Sequence, residues 1–133
     1  MNKSFWNKKN VLITGHTGFK GSWLSLLLNK LGSNVFGLSL EEPVTTPNMF
    51  SVLNIDSIVD DGRGDINQLD SCISIIQNAK PEIIFHMAAQ PLVRKSYKSP
   101  TNTYMTNIIG TANILEAARF CDSVKTIVIV TTD

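Results

Sequence analysis

The residues with the most chemical content in this sequence are Gly15-His16-Thr17-Gly18-Phe19-Lys20-Gly21. They follow the apolar run Asn10-Val11-Leu12-Ile13-Thr14 and open a stretch with helical spacing. Gly15 permits a tight turn off a strand, Gly18 lets the backbone approach a pyrophosphate, and Gly21 lets the new helix pack close to a sheet. A helix starting there aims free N–H groups and its positive dipole end at phosphates. Glycines at such spacing can be plain turn residues, but the strand before them and the helix after them argue for a dinucleotide loop. All seven residues, Gly15 to Gly21, are therefore read as cofactor-binding. Lys20 offers a charge to a phosphate, and His16 either touches phosphate or stabilises the loop.

The elements that must position this loop alternate along the chain. Strands are expected at Asn10–Thr14, Asn34–Leu40, Ser57–Asp60, Glu82–His86 and Lys125–Thr131. Helices are expected over Gly18–Leu31, Ile66–Gln77 and Thr101–Phe120, with Gly32 stopping the first and a short helical turn at Met49–Leu53. Trp23 and the leucines of the first helix read as core, and Asp60 and Asp61 as plain surface charges. Pro43 and Pro47 mark a loop, and Pro81 breaks the pattern before the fourth strand. Short apolar strands separated by helices specify an α/β, doubly wound, Rossmann-type parallel sheet of five strands in order 3-2-1-4-5. Ligands then gather at the carboxyl ends of strands one, four and five, at Gly15, His86 to Gln90, and Thr131 to Asp133. The apolar run Ile127 to Val130 continues almost to the last residue, so the sheet is expected to be incomplete at the C-terminus and residues 1–133 to be a truncated dinucleotide-binding domain.

Composition narrows the partners. The 133 residues are 43% hydrophobic and 17% charged with a formal net charge of +1, which gives no electrostatic reason to expect nucleic acid or membrane as a partner. Cys72 and Cys121 lack metal-type spacing and read as reduced thiols, so no metal is expected. The stretch Trp23 to Leu31 is interrupted by Ser25, Asn29 and Lys30, well short of the roughly 20 apolar residues that span a bilayer. A cytoplasmic location is expected.

The glycine spacing is G-x-x-G-x-x-G, and it is followed by Asp65-Ile66, Ala88-Ala89, Asn107 and Thr131-Thr132-Asp133. Together these resemble the extended short-chain dehydrogenase/reductase superfamily, which includes nucleotide-sugar epimerases and dehydratases. The longer segments Thr14 to Leu24 and His86 to Arg94, then Ser96-Tyr97 and Pro100 to Thr111, most resemble the CDP-glucose 4,6-dehydratases. That resemblance implies bound NAD, recycled within an internal redox reaction. The acidic residue that usually ends strand two is replaced by Ser39, which bonds a ribose hydroxyl without repelling a 2′-phosphate. NADP is thus left open by the residues, with NAD favoured by the resemblance.

The same resemblance assigns further roles. Asp65 and Ile66 would meet the adenine, while Ala88 and Ala89 would be small because the cofactor passes close by. Gln90 belongs with the cofactor-binding residues and leads to the substrate side, where Arg94 is either the contact for a sugar-nucleotide pyrophosphate or a surface arginine. Asn107 would tie its helix to the strand-four backbone, and His86 reads as structural. Thr132 would polarise the sugar 4-hydroxyl, and Asp133 would be the general acid of water elimination. The expected substrate is CDP-glucose and the product CDP-4-keto-6-deoxyglucose, for deoxysugar and surface-polysaccharide synthesis, in a complete enzyme that is a homo-oligomer. Tyr97 and Tyr104 are followed four residues on by Thr101 and Ile108 rather than lysine, so the family's Tyr-x-x-x-Lys pair is missing from these residues. Two alternatives stand beside this reading: another extended-family epimerase or dehydratase acting on a GDP- or dTDP-sugar, and a dinucleotide-binding fragment without catalysis.

Overall fold

Strands whose side chains are apolar in both directions need cover on both faces, and helices between parallel strands provide it. A computed structural model, which describes residues 2–41 and 46–131, shows this arrangement. Strands β1 (Asn10–Thr14), β2 (Asn34–Ser39), β3 (Asp60–Arg63), β4 (Ile83–His86) and β5 (Thr126–Ile129) form one parallel sheet in the order β3-β2-β1-β4-β5. The register sets Thr14 opposite Leu38 on one side and His86 on the other, and His86 opposite Ile129.

Alternation along β1 divides the core. Val11 and Ile13 face a layer with Leu28, Phe50 and Ile55, while Leu12 faces the opposite layer with Ile76, Ile84 and Ile114. The first layer belongs to α2 (Phe19–Lys30) and α3 (Met49–Val52), and the second to α4 (Leu69–Ala79) and α7 (Gly110–Arg119). A short helix, α1 (Lys3–Trp6), precedes the sheet, and Trp6 rests 6.4 Å from Phe85.

Several elements depart from the sequence reading. β3 begins at Asp60 rather than Ser57, because Asn54 turns left-handed and Ile55–Ser57 close a 3₁₀ turn that buries Ile55 completely. α4 begins three residues later than expected: the Asp65 carboxylate accepts the Asn67 amide at 2.9 Å and holds a turn in which Ile66 enters the core. α2 buries Gly21, Ser22, Ser25 and Leu28, whereas Trp23 is 47% exposed. Small residues bring that helix onto the sheet, so Trp23 and Leu27 are turned toward the surface rather than into the core. After β4 the chain adds α5 (Val93–Lys98), then α6 (Pro100–Tyr104), a π-helical turn (Met105–Ile109) and α7, in place of one uniform helix. In α7 the buried face is Gly110, Ile114, Ala117 and Ala118; Leu115 on that helix and Ile108 in the π-helical turn before it are exposed.

Among the described residues no helix is long and apolar enough to cross a membrane, and no cluster of acidic, histidine and cysteine side chains is arranged to hold a metal.

Candidate functional site

The glycine loop lies where the strand order reverses, between β1 and β4. Gly15 has φ +75°, and a Cβ there would stand 2.9 Å from the Ala88 amide nitrogen. Both its conformation and its proximity to Ala88 therefore require glycine. Its amide donates to Leu38 O at 2.8 Å, and the Gly18 amide closes the turn onto Gly15 O at 3.0 Å. Gly21 meets the same turn from the helix side, where a Cβ would collide with Gly15 O and lie 2.7 Å from His16 Cα. The first helical bond of α2 runs from Ser22 N to Gly18 O, 2.9 Å. The amides of Phe19, Lys20 and Gly21 precede it and point out of the helix N-terminus, whose first turn holds no acidic residue. This is a cradle with donors and a positive dipole end, and it fits a pyrophosphate. The Lys20 side chain is exposed beside it.

His16 turns inward from this loop. Its ring is wholly buried, with Nε2 2.7 Å from Asp61 Oδ1 and Nδ1 3.0 Å from Ser39 Oγ. Burial pushes its pKa below 6.5, against the raising pull of the Asp61 carboxylate. Both ring nitrogens are occupied, which ties His16 into the base of the loop. Ser39 shares this network. The residue is 7% exposed, and its hydroxyl is bonded to the His16 ring and accepts the Thr17 amide at 3.4 Å beneath the loop. Asp61, expected as a plain surface charge, is 24% exposed at its side chain and joins His16 to Arg63 Nη2 at 2.7 Å. Arg63 in turn donates to Leu40 O at 2.8 Å and covers the Phe50 ring. Asp61 and Arg63 are two apart in β3 and share a face, a signal that appears only when the strand starts at Asp60 rather than Ser57.

Past β4, Ala88 abuts the glycine turn and Ala89 is exposed. Asn107, in the π-helical turn, clamps Gln90 by both backbone atoms: its Oδ1 accepts Gln90 N at 2.8 Å and its Nδ2 donates to Gln90 O at 3.2 Å. His86 is buried between Thr14 and Thr111, and burial lowers its pKa from 6.5. On the other side of the glycine loop, Ile66 O accepts Asn113 Nδ2 at 2.9 Å, which pins the Asp65-Ile66 turn to α7. Arg94 lies apart on α5, exposed beside a shallow pocket that it lines with Leu92, Val93, Lys95 and Lys98. Thr132 and Asp133 lie outside the described residues.

Comparison with known proteins agrees with this geometry. The family described as GDP-mannose 4,6 dehydratase matches residues 12–133. The CDP-glucose 4,6-dehydratase of Salmonella typhimurium is 45% identical over 133 residues, all of this chain and 37% of that protein. Among solved structures, UDP-glucose 4-epimerase from Thermotoga maritima, determined with UDP-glucose, superposes with a TM-score of 0.80 at 28% identity, over 92% of this chain and 38% of that one. UDP-glucose-4-epimerase from Stenotrophomonas maltophila, with bound NAD and formylated UDP-arabinopyranose, gives 0.78 at 25% identity, over 91% and 36%. The chain thus spans little more than a third of the length of these relatives. With its parallel sheet, its glycine cradle and a family match from the first strand onward, the chain belongs to the GDP-mannose 4,6 dehydratase family of nucleotide-sugar dehydratases and epimerases.

Proposed function

We propose that residues 1–133 are the NAD-binding domain of a cytoplasmic, homo-oligomeric nucleotide-sugar 4,6-dehydratase that converts CDP-glucose to CDP-4-keto-6-deoxyglucose. The observation that carries the reading is the cradle of free amides at Phe19, Lys20 and Gly21 beneath a glycine turn packed on Ala88. The 45% likeness to a CDP-glucose 4,6-dehydratase, spread over the whole chain, supports this substrate over other nucleotide sugars.

The chemistry supplied by a bound nicotinamide is reversible hydride transfer, here from sugar C4 and back to C6. The residues of this chain do the binding and orienting. Gly15 to Gly21 hold the pyrophosphate, and the exposed Lys20 adds charge at its edge. Asp65 keeps Oδ2 for the adenine amine while Oδ1 secures the Asn67 amide. Ala88 and Ala89 leave room for the ribose and nicotinamide, and Gln90 is fixed by Asn107 beside them. Arg94, with Lys95 and Lys98 around the same shallow pocket, offers charge to the phosphates of the sugar nucleotide. Thr132 orients the 4-hydroxyl and Asp133 protonates the departing hydroxyl.

Calorimetric titration of the chain with NAD and with NADP tests the binding claim: saturable NAD binding, tighter than NADP, is expected, and no binding of either overturns it. The open reading frame that carries this chain should convert CDP-glucose in preference to GDP-mannose and dTDP-glucose, while the 133 residues alone, lacking Tyr-x-x-x-Lys, should turn over none. Turnover by the 133 residues would refute that last statement. The likeness to UDP-glucose 4-epimerases favours one second reading, sugar C4 epimerisation; its product keeps the 6-hydroxyl, so the mass of the product separates the two.

A further inference from the structure

A hydrogen-bond chain runs behind the cleft and is not used by the binding roles above. Thr14 Oγ1 lies 2.7 Å from His86 Nδ1, and His86 Nε2 lies 2.9 Å from Thr111 Oγ1. His86 is 2% exposed, which leaves little room for water to replace either partner.

The partners fix where the ring carries its proton. Thr111 donates its one hydroxyl hydrogen to Asn107 O at 2.8 Å, a turn earlier in the helix. Its oxygen is then an acceptor toward His86, and the proton is on Nε2. At the other end, Thr14 Oγ1 accepts the Ala88 amide at 3.0 Å and the Met87 amide at 3.1 Å, the latter shared with Thr14 O at 3.2 Å. With both lone pairs engaged, Thr14 gives its own hydrogen to Nδ1, which must be bare. The two ends of the ring independently require the same neutral tautomer.

Each end of this chain terminates on the cleft. Thr14 holds the Met87-Ala88 backbone against which Gly15 turns. Thr111 bonds to the backbone of Asn107, the residue that clamps Gln90. We propose that His86, fixed with its proton on Nε2, is a positioning residue that sets the Met87–Gln90 backbone at the nicotinamide end of the cleft through Thr14 and Thr111. The ring touches no ligand itself. It works as a strut between β1, β4 and α7, and moving its proton to Nδ1 would present a third donor to Thr14 and displace one of the two amides. The inference rests on the dinucleotide reading for what the cleft holds, but the tautomer does not.

Nitrogen-15 NMR of the histidine rings in the chain without dinucleotide tests the strut directly. The His86 signals, assigned by their loss in His86→Asn, should show a bare Nδ1 and a protonated Nε2; a proton on Nδ1 overturns the proposal. A second arm measures NAD affinity. His86→Phe, which removes both bonds, should weaken NAD binding about tenfold, the worth of one to two buried hydrogen bonds. His86→Asn, whose amide oxygen can still receive the Thr14 hydroxyl, should recover most of that loss, and Thr111→Ser should bind like the unmodified chain where Thr111→Val does not. Unchanged NAD affinity in a folded His86→Phe chain, or equal behaviour of the two Thr111 variants, overturns the proposal. If His86→Phe fails to fold, the tautomer and the Thr111 pair still decide. If the unmodified chain binds no NAD, the dinucleotide reading fails, and the ring signals together with the Met87 and Ala88 amide shifts in Thr111→Val against Thr111→Ser decide the strut alone.

Discussion

His16 Nε2 stands 2.7 Å from Asp61 Oδ1, so a wholly buried ring in the glycine loop is anchored by a carboxylate two strands away on β3. The bond spans β2, which adds Ser39 at the other ring nitrogen. Removing the carboxylate leaves a buried donor without a partner, and that desolvation is not recovered elsewhere. Asp61→Ala should therefore destabilise the chain by about 1–3 kcal/mol in urea unfolding. Asp61→Asn, which keeps an acceptor oxygen, should lose clearly less. Equal losses for the two variants would show that the acceptor does not matter.

The two histidines of the sequence are both held neutral by burial, which lowers each pKa from 6.5. In the unfolded chain each would take up a proton as pH falls through 6.5, whereas the folded chain resists. Unfolding then binds protons, so stability is complete above pH 6.5 and declines on acidification. The limiting slope is about 1.4 kcal/mol per pH unit for each histidine. Urea midpoints measured between about pH 5 and 8 should fall on the acid side, and His86→Asn should remove up to half of the decline down to pH 5, above most carboxylate titrations. A profile flat down to pH 5 would contradict the buried neutral rings.

The glycine turn makes separate demands at its two ends. At Gly15 an alanine meets both a positive φ and the Ala88 backbone; the left-handed conformation alone costs roughly 1–2 kcal/mol. At Gly21 an alanine would drive α2 off the turn, because the obstacle is backbone at Gly15 and His16 rather than a movable side chain. Both Gly15→Ala and Gly21→Ala should weaken NAD binding by more than about tenfold, since each displaces the amides of the cradle. Titration calorimetry on chains that retain their far-ultraviolet circular dichroism checks this, and near-normal affinity in either would remove the cradle from the binding account.

Local pattern made much of this legible. β1, β2 and β4 are continuous apolar runs, and a chain that alternates such runs with helices has one economical sheet order. β3 carries no apolar signal: Asp60-Asp61-Gly62-Arg63 is polar, an edge strand whose pairing comes from β2 rather than from its own hydrophobicity. Trp23 misled for the opposite reason: a large apolar residue signals burial, yet the close packing of Gly21, Ser22 and Ser25 reserved the sheet side of α2 for small residues. Contacts that depend on residues far apart in sequence carried no local signal. His16 to Asp61 spans 45 residues and Thr14 to His86 spans 72. The glycine loop could be read directly, and the struts beneath it could not.

Asn107 is a locally unfavourable residue that a remote backbone explains. Asparagine in a helix competes with the main chain for hydrogen bonds, and here its amide spends both functions on Gln90, donating to the carbonyl and accepting from the amide. Gln90 uses its own side chain to cap the following turn at Leu92 N, 2.8 Å, and to reach Thr103. The clamp therefore holds the whole entry into α5, including the approach to Arg94. Asn107→Asp keeps the acceptor but replaces the donor with a carboxylate oxygen beside Gln90 O, so it should be at least as damaging as Asn107→Ala despite its closer shape. In the chain, both variants should weaken NAD binding severalfold while lowering stability by about 1–2 kcal/mol. Measured affinity and urea midpoint together test this: Asn107→Asp behaving like the unmodified chain would mean that the donated bond to Gln90 O contributes nothing to holding the cleft.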